Sequence, residues 1–119
     1  MVDLTYLKKT TSNDFDVILQ LVEIFKLQLP ELKINILNSY KNKDWDVLKR
    51  AAHKAKNSFK MMGLHSASEN LKQIEIECSK ENNINCASNI DLFISEYDEV
   101  VYNINKKIKE LNTDTILKF

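Results

Sequence analysis

Gly63 and Pro30 are the only glycine and the only proline in 119 residues, which leaves this chain few places for the tight turns of a sheet-rich fold. Helices are therefore the expectation, and the apolar spacing supports them. Between Phe15 and Tyr40 the apolar residues Phe15, Ile18, Leu21, Val22, Phe25, Leu29, Leu32, Ile36 and Tyr40 follow the i, i+3, i+4 pattern of one buried helical face. Pro30 falls inside that run, and because proline lacks an amide hydrogen the sequence predicts a kink, or two helices meeting near Leu29.

The same pattern recurs three more times. Trp45, Leu48, Ala52, Ala55, Phe59 and Met62 define a second helix, with Asp44 as its N-cap. Ala67, Leu71, Ile74 and Cys78 define a third, preceded by Ser66 and Glu69 in capping-box spacing. Ile90, Ile94, Tyr97, Val101, Ile104, Ile108 and Leu111 define a fourth, with Ser88 and Asp91 as candidate caps. Ser12, Asn13 and Asp14 offer caps for the first helix, and Asp3 to Lys9 form a short amphipathic opening. The fold class predicted is all-α: an antiparallel four-helix bundle with a short additional N-terminal helix, one domain over 1–119. The pattern fades over the tail 113–119, where Ile116, Leu117 and Phe119 are placed to cover one end of the core.

Charge excludes some functions. Lysine plus arginine equals aspartate plus glutamate overall, which argues against a nucleic-acid binder. Yet seven basic residues lie between Lys41 and Lys60 against Asp44 and Asp46 alone. No apolar run is long enough for a membrane span. Cys78 and Cys86 lack CxxC spacing and no secretory leader opens the chain, so a cytoplasmic location and reduced thiols are expected. His53 and His65 stand twelve residues apart, with no helical i, i+4 partner of metal-ligand type, so no metal site is expected.

His53 lies within the basic stretch, and helix geometry says which way it points. With Leu48 at zero and about 100° per residue, the apolar positions Ala52, Ala55, Phe59 and Met62 fall within roughly 40°, whereas His53 falls at about 140°. Lys49, Lys56 and Lys60 fall at roughly 80° to 120°, on the same side. A neutral imidazole nitrogen is a nucleophile near neutral pH, and a phosphoryl group carried there would lie beside Lys56 and Lys60. Glu75, at about 40° from Leu71 on the following helix, flanks the apolar line, and from there its carboxylate can reach across to orient the ring. A solvated lysine-rich face with an incidental histidine is the competing reading of this spacing.

The stretch WDVLKRAAHKAKNSFKMMGL, residues 45–64, resembles the signature helix of histidine-containing phosphotransfer (HPt) domains. In that family an alanine precedes the phospho-accepting histidine, a lysine follows it by three positions and a glycine by ten. Here these are Ala52, His53, Lys56 and Gly63, and the resemblance extends to LPEL at 29–32 and NKDW at 42–45. The resemblance implies a phosphorelay intermediate: His53 accepts a phosphoryl group from a receiver-domain aspartate and passes it to another. Lys56 would stabilise the phosphate, and Glu75, 22 positions beyond His53, would orient the imidazole. Lys49, Asn57, Lys60 and Gly63 would contact the partner. The partners implied are response-regulator receiver domains and a hybrid sensor histidine kinase. The chain would act as a monomer with no cofactor and no independent kinase activity, Mg2+ belonging to the receiver. Two positions depart from the family pattern. Asn57 stands where a small residue is usual and can either donate to the phosphoryl oxygens or narrow access, and Ala55 replaces a common leucine, offset by bulk such as Phe59 or Met62. The alternative is a non-catalytic adaptor, a degenerate HPt that docks a receiver without phosphotransfer.

Overall fold

The computed structural model describes residues 1–117, with side chains through Thr113. Among these residues there are five helices and no strand: α1 Thr5–Thr10, α2 Phe15–Lys41, α3 Trp45–Met61, α4 His65–Cys78 and α5 Ala87–Leu117. Of the four long helices, α2 packs against α3 and α5, and α4 packs against α3 and α5, so the four close into a ring. The links joining the five helices are three to eight residues long. They use left-handed backbone at Ser12 and Asn13, at Lys43, at Gly63 and at Asn83, a conformation that glycine and asparagine adopt most readily.

The caps at Asp14 and Asp44 form as the sequence predicts, each carboxylate accepting from the backbone N–H three residues on, at 3.3 Å. The capping box at Ser66 does not form. Leu64 is the N-cap, without a side-chain hydrogen bond, and α4 begins at His65. Leu64 is buried in the core, which fixes the helix start ahead of Ser66, and the Ser66 hydroxyl instead donates to Glu96 Oε2 on α5 at 3.4 Å. The last helix likewise starts before the expected caps, at Ala87 rather than after Ser88.

Pro30 neither ends nor divides α2, which runs unbroken through it. The reason is its position: Leu29 and Leu32 are buried, whereas Pro30 faces solvent, where water can satisfy the carbonyl that loses its partner. A pair of helices meeting at Leu29 is therefore excluded.

The core is built by the predicted stripes on α2, α3 and α4, through Ile18, Val22, Phe25, Leu29, Leu32 and Ile36; Leu48, Ala52, Ala55 and Phe59; Ala67, Leu71, Ile74 and Cys78, whereas the predicted Phe15, Leu21, Tyr40 and Trp45 are only partly buried at its edge. Phe25 and Phe59 meet edge to face with centroids 5.3 Å apart. Two small side chains, Ala52 and Ala55, let α3 and α4 approach closely enough for the Ser68 hydroxyl to donate to the Lys56 carbonyl at 3.2 Å. Phe59 and Met62 are both buried in the core.

On α5 the sequence phase needs correction. Phe93 and Val100 are buried, Val101 and Ile108 are only partly buried, and Ile94 is 44% exposed. The stripe thus steps through Ile90, Phe93, Tyr97, Val100, Ile104 and Leu111, because the neighbours of α5, α2 and α4, lie towards the Phe93 side. A half-buried polar stitch holds this placement: Asn70 donates to the Asn89 carbonyl at 2.8 Å and Asn89 donates to Asn70 Oδ1 at 2.9 Å. The helix continues to Leu117, beyond the point where the apolar pattern fades. Ile116 and Leu117 have no described side chain, and Phe119 lies outside the described residues.

Candidate functional site

His53 sits in the middle of α3, and its side chain is 56% exposed. The core stripe of the same helix anchors the backbone beneath it, so the ring is presented outward from a rigid element. Its Nδ1 lies 2.7 Å from Glu75 Oε1 on α4. The other carboxylate oxygen, Oε2, accepts from Lys56 Nζ at 2.8 Å. Glu75 therefore bridges the histidine and the lysine three positions after it, and the predicted contact between α3 and α4 is present.

The tautomer follows from these partners. An ionised carboxylate only accepts, so Nδ1 carries the proton and donates it to Glu75. Lys56 Nζ also lies 3.5 Å from Nδ1, but that separation is too long to compete with the 2.7 Å contact. Nε2 is left with the lone pair, on the side of the ring away from Glu75. There it meets Asn57, whose Nδ2 stands 3.3 Å away and donates to it.

Burial acts on Glu75 most strongly as a single cause and favours its neutral form, but the hydrogen bonds from Lys56 and His53, together with their charge interactions, outweigh it. The carboxyl is thereby held below the usual glutamate range. A folded-state value below the unfolded one gives stability that is fully present above the unfolded value, 4.5, and is lost as pH falls through the folded value. The stability difference between wild type and Glu75→Gln is thus expected to shrink as pH falls below about 4.5. Chemical denaturation across that range checks this, and a difference that stays flat to about pH 3 would sink the account.

The structure separates the other predicted residues. Lys49 and Arg50 line a shallow depression on the Glu75 side of His53, together with Asp46. Lys60 lines another, on the Asn57 side, with Lys56, His65, Ser68, Glu69 and Lys72. Lys56 is committed to Glu75 and lies near Nδ1, rather than standing free beside Nε2. Gly63, predicted as a partner contact, is buried: it forms the turn after α3 with φ +71°, packed against Asp3. Its place in the motif is explained by backbone geometry and not by exposure.

Sequence reasoning missed two features. The hydrogen bond from Asn57 to Nε2 was legible in the i, i+4 spacing from His53. The second is an apolar groove between α2 and α3, lined by Leu21, Ile24, Phe25, Ser58 and Met61 among others, with Ile24 49% and Met61 37% exposed. Ile24 lies off the core stripe of α2, which was the available signal.

Cys78 and Cys86 are free, buried thiols, as small core residues would be. Burial pushes Cys78 up to about 12 and also raises Cys86, so neither is a thiolate at neutral pH. No group of three or more His, Cys, Asp or Glu side chains among the described residues is arranged to hold a metal ion. No helix among them is long and apolar enough to cross a membrane.

An exposed histidine on a bundle helix, its ring fixed by a carboxylate from the next helix, is a geometry that presents a nitrogen nucleophile. Residues 20–110 match the family model of the Hpt domain, and the chain belongs to that family. No curated protein and no solved structure matches it. Membership carries a phosphotransfer role in two-component signalling and interaction with receiver domains.

Proposed function

We propose that this chain is a phosphorelay intermediate in which His53 Nε2 accepts a phosphoryl group from the aspartyl phosphate of one receiver domain and yields it to the aspartate of another. The observation that carries this reading is the pair of contacts on the ring, with Nδ1 donating to Glu75 at 2.7 Å and Nε2 facing outward. We read the ring of α2 to α5 as the antiparallel four-helix bundle that holds this face rigid.

In the transfer step the Nε2 lone pair attacks phosphorus, the N–P bond forms, and the P–O bond to the donor aspartate breaks to leave a carboxylate. No proton need leave His53. The ring, still protonated at Nδ1, gains positive charge, and Glu75 stabilises that charge through the hydrogen bond already in place. Lys56 keeps Glu75 ionised and aimed at Nδ1, and with Lys60 and Lys49 it supplies a positive field for the incoming phosphate. The exposed apolar groove of Ile24 and Met61, beside this basic face, suits a receiver surface that is apolar at its centre and acidic at its rim. Mg2+ comes with the receiver, and the chain works as a cytoplasmic monomer fed by a hybrid sensor kinase.

A second reading has one observation in its favour: Asn57 occupies the approach to Nε2, as expected of an adaptor that docks a receiver without transfer. Incubation with a receiver carrying labelled aspartyl phosphate separates the two. Acid-labile, base-stable label on this chain is the expected result. Docking without label supports the adaptor, and acid-stable label points to Ser58.

A further inference from the structure

Asn57 lies one helical turn beyond His53, where i and i+4 side chains are neighbours. Its Nδ2 to Nε2 separation of 3.3 Å exceeds the usual 2.9 to 3.0 Å for such bonds by roughly a tenth, so its hold on the neutral nitrogen is weak. Asn57 also lines the depression shared by Lys56, Lys60, His65 and Lys72, in which Glu69 is the one acidic side chain. A phosphoryl group on Nε2 consumes the lone pair that Asn57 now occupies and places oxygens of full negative charge within reach of the same N–H.

We propose that Asn57 exchanges partners during the relay, donating to Nε2 while the ring is unmodified and to a phosphoryl oxygen once the ring is loaded. This rests on the phosphorelay reading. As Nε2 attacks, the Asn57 N–H leaves the lone pair; the N–P bond forms, the donor P–O bond breaks with its electron pair on the leaving oxygen, and the released N–H turns to the phosphoryl group. Hydrogen bonds to charged acceptors are about twice as strong as neutral ones. The exchange therefore favours the loaded state: Asn57 slows attack slightly and prolongs the phosphohistidine more.

Phosphoramidate, a small phosphoryl donor that needs no receiver, tests this with wild type, Asn57→Ala and Asn57→Leu. Both variants lack the donor, and leucine keeps most of the bulk. The phosphohistidine half-life is expected to fall about three- to tenfold in both, whereas loading speeds up chiefly in the alanine variant. Faster loading in alanine with unchanged half-lives makes Asn57 a steric obstacle only and overturns the exchange. Nuclear Overhauser contacts between the Asn57 amide protons and the His53 ring protons beside Nε2 test the resting contact without phosphate chemistry. Their absence in a protein that loads normally overturns the proposal and leaves the relay standing. Their presence in a protein that never loads sinks the relay, and with it the second half of the exchange.

Discussion

His53→Gln is expected to lose all acid-labile label from a phosphorylated receiver while unfolding at nearly the wild-type temperature. The loss is complete because an amide nitrogen, with its lone pair delocalised into the carbonyl, offers no nucleophile to replace Nε2. Stability is retained because the side chain lies outside the core, 56% exposed, and its one short contact is to Glu75. The glutamine amide can donate to the same carboxylate oxygen, so Glu75 is not left with an unpaired charge. Lys56 remains on Oε2 in either case. Label transfer and a thermal melt on one preparation check both halves. Acid-labile label persisting at the wild-type level would move the site to His65, the only other histidine in the chain. Loss of label together with a large fall in melting temperature would mean that the ring is structural.

What could be read from the sequence is what periodicity controls. The stripes of α2, α3 and α4 were legible because one continuous i, i+3, i+4 line runs along each helix between clear breaks, even on α2, where Val17, Ile24, Leu27 and Ile34 lie off that line and exposed. The stripe of α5 was not, because Ile94, Val101 and Ile108 are as apolar as Phe93 and Val100 and form a second plausible line. Choosing between those lines needs the positions of α2 and α4, which no local pattern contains. Pro30 shows a related gap: the sequence locates a missing hydrogen-bond donor, but only tertiary packing tells whether the freed carbonyl faces water. Ser66 and Glu69 match a capping box in letters, yet burial of Leu64 sets the helix start and leaves the serine to α5.

At the site, angular counting on each helix sufficed to turn His53 outward and to bring Glu75 beside it, since both positions follow from about 100° per residue. Counting could not say how Lys56 divides its charge. Its ammonium group reaches Glu75, the ring or a phosphate equally well along a flexible stem, and the structure assigns it to the carboxylate. The Asn57 contact lay within reach of the same arithmetic but was obscured by the family pattern, in which a small residue at that position has no side chain to place.

Gly63→Ala is expected to destabilise the fold by about 3 kcal/mol, the larger part from steric overlap and the rest from backbone strain. With φ at +71°, Gly63 occupies the left-handed region, where an ordinary side chain costs about 1 to 2 kcal/mol. A methyl group there also overlaps the Asp3 carbonyl and stands 2.5 Å from Asp3 Cβ. Backbone atoms cannot rotate away as a flexible side chain does, so the N-terminal segment must lift. Lifting it breaks the bond from the Asp3 amide to the Met62 carbonyl at 3.0 Å and loosens Val2 and Leu4, both buried. The two contributions separate in a cycle with a chain lacking residues 1–4. Without the segment the overlap vanishes, and the cost of Gly63→Ala should fall to about 1 kcal/mol. Equal costs in the two backgrounds, measured by chemical denaturation, would show that strain alone keeps this position glycine. A full-length cost below about 1 kcal/mol would show that the N-terminal segment does not close over the α3–α4 turn in solution.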